Sequence, residues 1–159
     1  MNKSDNFIEY LIQLSQSENK TKILSDLKHG LRTEPGNDIK MYPYIVSWTQ
    51  NLFYKEEYIY YMTASLFAYY PEHTEEDINI GHIYKEIYKS ENSKSIEKRL
   101  IALLNSDLDN IQPKLRSLVG LAKNKKIKIN WKNFMKDLLY WDHESNFSKK
   151  KIASSFYNK

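Results

Sequence analysis

The 159-residue chain contains no cysteine. Disulfides, thiolate nucleophiles and sulfur-ligated zinc are thereby excluded, and the soft metal ligands reduce to four dispersed histidines, His29, His73, His82 and His143. Glycine and proline are scarce, at four each. That is too few for the many marked turns of an all-β chain and favours helices joined by short loops. No stretch approaches the roughly 20 apolar residues that a transmembrane helix requires. The opening Met1-Asn2-Lys3-Ser4-Asp5-Asn6 lacks the apolar run of a secretory signal, so a cytoplasmic protein with no membrane partner is expected. Loops of the form GxxxxGK[ST] or GxGxxG are absent. No backbone cradle for a nucleotide phosphate is therefore read, and no cofactor is expected. Arginine is the scarcest charged residue, confined to Arg32, Arg99 and Arg116 among 24 basic positions. Either those three sites need the planar guanidinium fork, or they are places that lysine has simply not taken.

What is present is helical periodicity. Ser4 is expected to cap a first helix carrying Phe7, Ile8, Leu11 and Ile12 and ending near Gln16. Thr21 is expected to open a second, with Ile23, Leu24, Leu27 and Leu31, broken by the turn-formers Thr33-Glu34-Pro35-Gly36-Asn37-Asp38 and a loop to about Lys40. Residues 41–48 read as two helical turns with Pro43 near the start. A longer core helix runs through Tyr58, Ile59, Met62, Leu66 and Phe67 and stops at Tyr70, before Pro71. Residues 72–77 read as a solvated acidic loop, and Asn79-Ile80-Gly81-His82 leads into a short helix with Ile83, Ile87 and Tyr88. Residues 90–93 read as a linker, after which Ser95 is expected to cap a helix with Ile96, Leu100, Leu103 and Leu104 on its stripe. A stripe from Leu108 to Ala122 should divide at Pro113, and residues 123–129 form an exposed basic segment. Asn130 is placed to cap a helix burying Trp131, Phe134, Leu138 and Trp141, and a last helix spans residues 148–157. The expected fold is all-α, a compact bundle of about eight to nine short helices in a single domain. Within it, residues 1–80 would form an acidic lobe and residues 81–159 a basic one.

The charge asymmetry is the first pointer to function. Residues 1–80 carry 7 Lys+Arg against 12 Asp+Glu, whereas residues 81–159 carry 17 against 8. Such a field suits a polyanion: nucleic acid, an acidic protein or a membrane surface. From Lys114 to Lys136 the chain holds Lys114, Arg116, Lys123, Lys125, Lys126, Lys128, Lys132 and Lys136, and no acid at all. Solvated helix faces normally mix signs, so this window argues for a phosphate track, with an incidentally basic surface as the alternative. Lysine-dominated contact would be insensitive to base sequence. Arg116, between Leu115 and Leu118, is expected to have its stem fixed by packing.

Catalytic candidates are weaker. Asp142-His143-Glu144 is the one histidine set directly among acids, and Glu56-Glu57 with Glu75-Glu76-Asp77 could in principle hold Mg²⁺ for a nuclease. Adjacent residues diverge and acidic runs are usually solvated, so no enzyme is expected. Of the 13 tyrosines and three tryptophans, Tyr58, Tyr84, Tyr88, Trp131 and Trp141 fall on apolar stripes and read as core rather than base-stacking groups.

Several short motifs occur in a distinctive order: Leu27-Lys28-His29-Gly30 before a Pro-Gly loop, Leu66-Phe67-Ala68, Glu97-Lys98-Arg99-Leu100 with Leu103-Leu104, and Leu115-Arg116-Ser117-Leu118-Val119. Ile129-Asn130-Trp131, Leu138-Leu139-Tyr140-Trp141 and Phe156-Tyr157 follow. From about Leu24 onward the sequence resembles the CasB family, the small subunit of the type I-E CRISPR surveillance complex Cascade. The resemblance implies an all-helical, non-enzymatic subunit, present as a pair beside the other Cascade subunits that hold the guide RNA. It would steady the target and displaced DNA strands of the R-loop without choosing the target, since base pairing carries that information. The positions of Lys28-His29 and Lys98-Arg99 stand where arginines are common in the family, and tryptophan is frequent near Phe156. The candidate nucleic-acid contacts are Lys28 and Arg32, Lys98 and Arg99, Lys114 and Arg116, the quartet Lys123, Lys125, Lys126 and Lys128, and Lys149 with Lys150. The rival reading, a small basic helical regulator of duplex DNA, would need a recognition helix presenting base-reading side chains.

Overall fold

The computed structural model describes residues 2–91 and 93–158. Among them the chain forms nine α-helices and four 3₁₀ turns and no strand, as the all-α expectation requires. The chain divides into two compact units, Met1–Glu72 and His73–Lys159.

In the first unit α1 (Lys3–Ser15), α2 (Lys20–His29), the short α3 (Tyr42–Ile45) and α4 (Tyr54–Tyr69) follow in order. Every residue of α4 from Tyr58 to Ala68 is buried, the pattern of a helix enclosed on all sides, and α1, α2 and the 3₁₀ turn Gly30–Arg32 pack on it. Two caps differ from the sequence expectation. Asn2 caps α1, because its backbone is extended and its side-chain oxygen accepts from Asp5 N at 2.9 Å, while Ser4 turns inward and donates to Asn2. Asn19, not Thr21, precedes α2, and Leu31 lies in the following 3₁₀ turn. A further 3₁₀ turn, Ile39–Met41, ends the loop.

The second unit is built on α5 (Ile80–Glu91), with α6 (Lys94–Leu104), α7 (Gln112–Lys125) and α9 (Phe147–Tyr157) packed against it and α8 (Trp131–Leu139) against α9. Ser90 and Glu91 continue α5 instead of forming a linker, and Asn92 lies outside the described residues. Ser93, not Ser95, caps α6, accepting from Ser95 N at 3.2 Å. Pro113 sits in the first turn of α7 and separates it from the 3₁₀ turn Leu108–Asn110, as expected. Asn130 caps α8 through Asn133 N at 3.0 Å.

Residue 79 ties three parts together. The Asn79 side-chain oxygen accepts from Gly81 N at 2.8 Å while His82 Nδ1 accepts from Asn79 N at 3.0 Å, a reciprocal cap of α5. The Asn79 amide then donates to Ser155 Oγ on α9 at 2.8 Å. Directly beyond, Gly81 allows α9 to approach so closely that a methyl group there would overlap the Ile152 carbonyl oxygen.

The acidic side chains Glu72, Glu75, Glu76 and Asp77 are exposed, as expected of an acidic run, but the loop that carries them is docked. Thr74 N bonds Ile129 O at 3.1 Å, Asn130 donates to Glu76 O at 2.8 Å, and Asn133 donates to Asp77 Oδ1 at 3.0 Å and Ile78 O at 2.9 Å. Residues 73–78 are thus stitched along residues 129–133, with a parallel bridge between His73 and Ile129. Glu75, Glu76 and Asp77 therefore fold with the basic unit, giving net charges of −2 and +6 for the two units.

Asp137 on α8 is buried and its Oδ2 has no hydrogen-bond partner. Burial pushes its carboxyl up to about 6, against the smaller pull of Lys151 and Ser148. With an unfolded value near 3.8, folding takes up a proton between these two pH values, so stability falls as pH rises through them. The penalty is complete above the folded value and at most about 3 kcal/mol. Asp137→Asn is expected to raise Tm by several degrees at pH 7.5 and to change it little at pH 3.5, where the folded carboxyl is protonated and the unfolded one mostly so. Melts of both proteins across that range check it.

Candidate nucleic-acid interface

The lysines after α7 are placed by its C-cap. Lys126 adopts left-handed backbone (φ 60°, ψ 36°), and Ile127 N returns to Ala122 O at 2.9 Å, which ends the helix and turns the chain sharply. Lys123 and Lys125 thus belong to the last turn of α7, exposed as expected, where their charge suits the helix dipole. Lys126 and Lys128 instead project beside α5. There they line a groove of about 530 Å³ with Lys85 and Lys89, its other charged walls being Glu76 and Glu86. Four lysines against two glutamates leave a net positive cleft. Burial and then Lys85 hold the His82 imidazole below its usual value, which disfavours a further positive charge there.

A second basic pair converges between α6 and α7. Arg99 and Lys114, far apart in sequence, meet with Ser117 around a cavity of about 230 Å³ whose floor includes Tyr84. Burial, only partly offset by Arg99, keeps the Tyr84 hydroxyl well above its ordinary value, so it stays protonated. Lys98, one position earlier, is exposed on α6.

Other candidates stand apart from these clefts. Lys28 and Arg32 lie in the first unit, both exposed, and Arg32 Nη1 is 3.3 Å from His29 Nε2. His29 Nδ1 is in turn paired with the buried Asp38 carboxylate. Burial opposes ionisation of Asp38, but the His29 and Lys40 hydrogen bonds prevail and hold its carboxyl below the usual range. His29 is therefore committed internally. Arg116 is exposed on α7, while Leu115 and Leu118 beside it are buried. Lys149 lies in the first turn of α9 with its ammonium 5.2 Å over the Trp141 ring, and Lys150 is exposed beside it.

The acid-free window is acid-free only in sequence. Lys132 bonds Glu75 at 2.9 Å and Lys125 lies 3.4 Å from Glu91. Glu75 also meets His73 Nε2 at 3.1 Å, and Lys132 followed by His73 holds its carboxyl below the usual range. Among the described residues no group of three His, Asp or Glu side chains is arranged to hold a metal ion, and no helix is long and apolar enough to cross a membrane.

Sequence reasoning missed Lys85 and Lys89. Their spacing of four puts them on one face of α5, but only the docked loop 73–78 brings Lys126 and Lys128 to the same groove.

Comparison with known proteins agrees with the resemblance carried by the motifs. A curated CRISPR-associated protein Cse2 from Thermus thermophilus is 26% identical over 165 residues, covering 99% of this chain and 91% of that protein. The crystal structure of CasB from Thermus thermophilus has the same fold, with a TM-score of 0.88 at 24% identity and full coverage of both chains. A chain of a solved CRISPR RNA-guided surveillance complex shares the fold with a TM-score of 0.81 at 17% identity, covering 97% of this chain and 91% of that one. The model of the CRISPR-associated protein Cse2 family matches residues 24–157, from within α2 to the end of α9 and through every lysine of the groove. With this match over most of its length, the chain belongs to the Cse2 (CasB) family.

Proposed function

We propose that this protein is a non-catalytic small subunit of a Cascade-type CRISPR surveillance complex, where it contacts nucleic-acid backbone and steadies the R-loop. The observation that carries the reading is the groove of Lys85, Lys89, Lys126 and Lys128 in a protein of this family. Ammonium groups on flexible stems contact phosphates and read no base edges, which suits a subunit that serves any guide sequence. Displacing one DNA strand for an RNA–DNA hybrid is nearly balanced in free energy, so modest backbone contact decides how long the open state lasts. Its partners are the other Cascade subunits, guide RNA, target DNA and a second copy of itself. The Arg99–Lys114 cleft, with Lys98 beside it, and exposed Arg116, Lys123 and Lys150 supply further phosphate contacts.

The test is the lifetime of the R-loop in the reconstituted complex with and without this subunit, together with binding of the purified chain to unrelated sequences. Shorter lifetime without it, and affinities for unrelated oligonucleotides agreeing within about 3-fold while falling steeply with salt, are expected. Tight binding to one defined duplex that survives moderate salt would favour a transcriptional regulator instead.

A further inference from the structure

Lys85 and Lys89 belong to two clefts at once. Beside the lysine groove they also border a cleft of about 420 Å³, within the size range of small-ligand pockets, whose walls are Tyr88 of α5, Glu97 of α6, and Phe156 and Tyr157 of α9. The rings pack edge to face, with centroids 5.7 Å apart for Tyr88 and Phe156 and 5.0 Å for Phe156 and Tyr157. An edge-to-face contact covers one face of one ring and leaves the faces of the ring that presents its edge free of that contact. Tyr157 is 52% exposed, yet its hydroxyl donates to Glu97 Oε2 at 2.7 Å, so the ring is anchored at its tip while much of its surface meets water. Lys85 donates to the Asn158 carbonyl and fastens the same end of α9 to α5. An aromatic wall held in place and left open, with two ammonium groups at its edge, matches one chemistry: a planar base joined to a phosphate.

We propose that this cleft stacks an unpaired nucleobase of a single strand whose phosphates run along Lys85 and Lys89 into the lysine groove. The proposal rests on the phosphate role assigned to that groove above. It adds an aromatic component to binding that the lysines alone would not give, independent of base identity because every base presents a π face. Lys85 and Lys89 flank both the ring cleft and the phosphate groove, so one nucleotide can occupy the two together.

The test uses the full chain and two oligonucleotides of equal length, one intact and one with abasic residues at its centre, followed by fluorescence anisotropy at several salt concentrations. The intact strand is expected to bind about 10-fold tighter, with the same salt slope for both. Tyr157→Leu should bring the intact strand down to the abasic level, and Tyr157→Phe, which keeps the ring, should retain most of the difference. Lys126→Gln with Lys128→Gln should weaken both strands alike. Equal binding of the two strands to the unaltered protein would overturn the stacking pocket while leaving the phosphate groove intact, and binding of neither would overturn both. Run with DNA and with RNA, a base-dependent gain in either supports the pocket, and the larger gain names the strand it takes.

Discussion

Replacing Lys85, Lys89, Lys126 and Lys128 together by glutamine is expected to weaken single-strand binding by about 100-fold near physiological salt and to lower the salt slope by about 3. The four side chains come from two elements but line one groove. Each phosphate contact on a single strand releases somewhat less than one counterion, and four such contacts give a loss of this size. The glutamates in the same groove make it steeper to lose the lysines than a count alone suggests, because Glu76 and Glu86 then leave a net negative cleft. Lys126→Gln and Lys128→Gln should each cost a similar, small factor, whereas Lys85→Gln and Lys89→Gln, which also border the ring cleft, should each cost more. Anisotropy titrations across a salt series measure both quantities, with helicity followed by circular dichroism. A quadruple variant that keeps its affinity and slope would remove the groove from the function. Arg99 and Lys114 make the natural comparison, since their separate cleft should account for part of the residual slope.

Gly81→Ala is expected to destabilise the second unit by about 3 kcal/mol, lowering Tm by roughly 6–12 °C. The added methyl would overlap the Ile152 carbonyl oxygen and press on Ser155 Cβ at 3.0 Å. Backbone cannot rotate aside as a side chain can, so α5 and α9 would have to separate, straining the Asn79 to Ser155 hydrogen bond. Gly30→Ala provides the contrast. Its methyl would meet the sulfur of Met41, the flexible end of a side chain that can move, and a cost of about 1 kcal/mol is expected. Thermal melts of the two variants separate the cases, and equal shifts would mean that the α5–α9 contact yields more readily than its geometry indicates. Because α9 carries Phe156 and Tyr157, Gly81→Ala should also erode the preference for intact over abasic strands.

Local rules were legible in the sequence where one element decided the outcome. Asn130 as a cap, Pro113 as a divider, α4 as the enclosed helix and Trp131 and Trp141 as core all follow from side chains acting on their own helix or its apolar stripe. The caps that failed did so by two positions. At Ser4 and Ser95 a neighbour, Asn2 or Ser93, had the extended backbone a cap needs, a property that residue type alone does not reveal. The basic window was misjudged for a different reason. Its freedom from acid held along the chain, whereas Glu75 and Glu91 reach Lys132 and Lys125 through space.

The helical class, the concentration of positive charge in the second half and the order of motifs that marks the family were all readable along one dimension, because they depend on composition, periodicity and spacing. Which lysines act together was a matter for the folded chain. Asn130 and Asn133 draw the loop 73–78 onto the start of α8, the left-handed Lys126 turns the chain back, and Gly81 lets α9 lie close on α5. Each is a contact that residue order does not disclose, and its effect on charge is set by distance in space, where electrostatic attraction and screening operate, and not by separation along the chain.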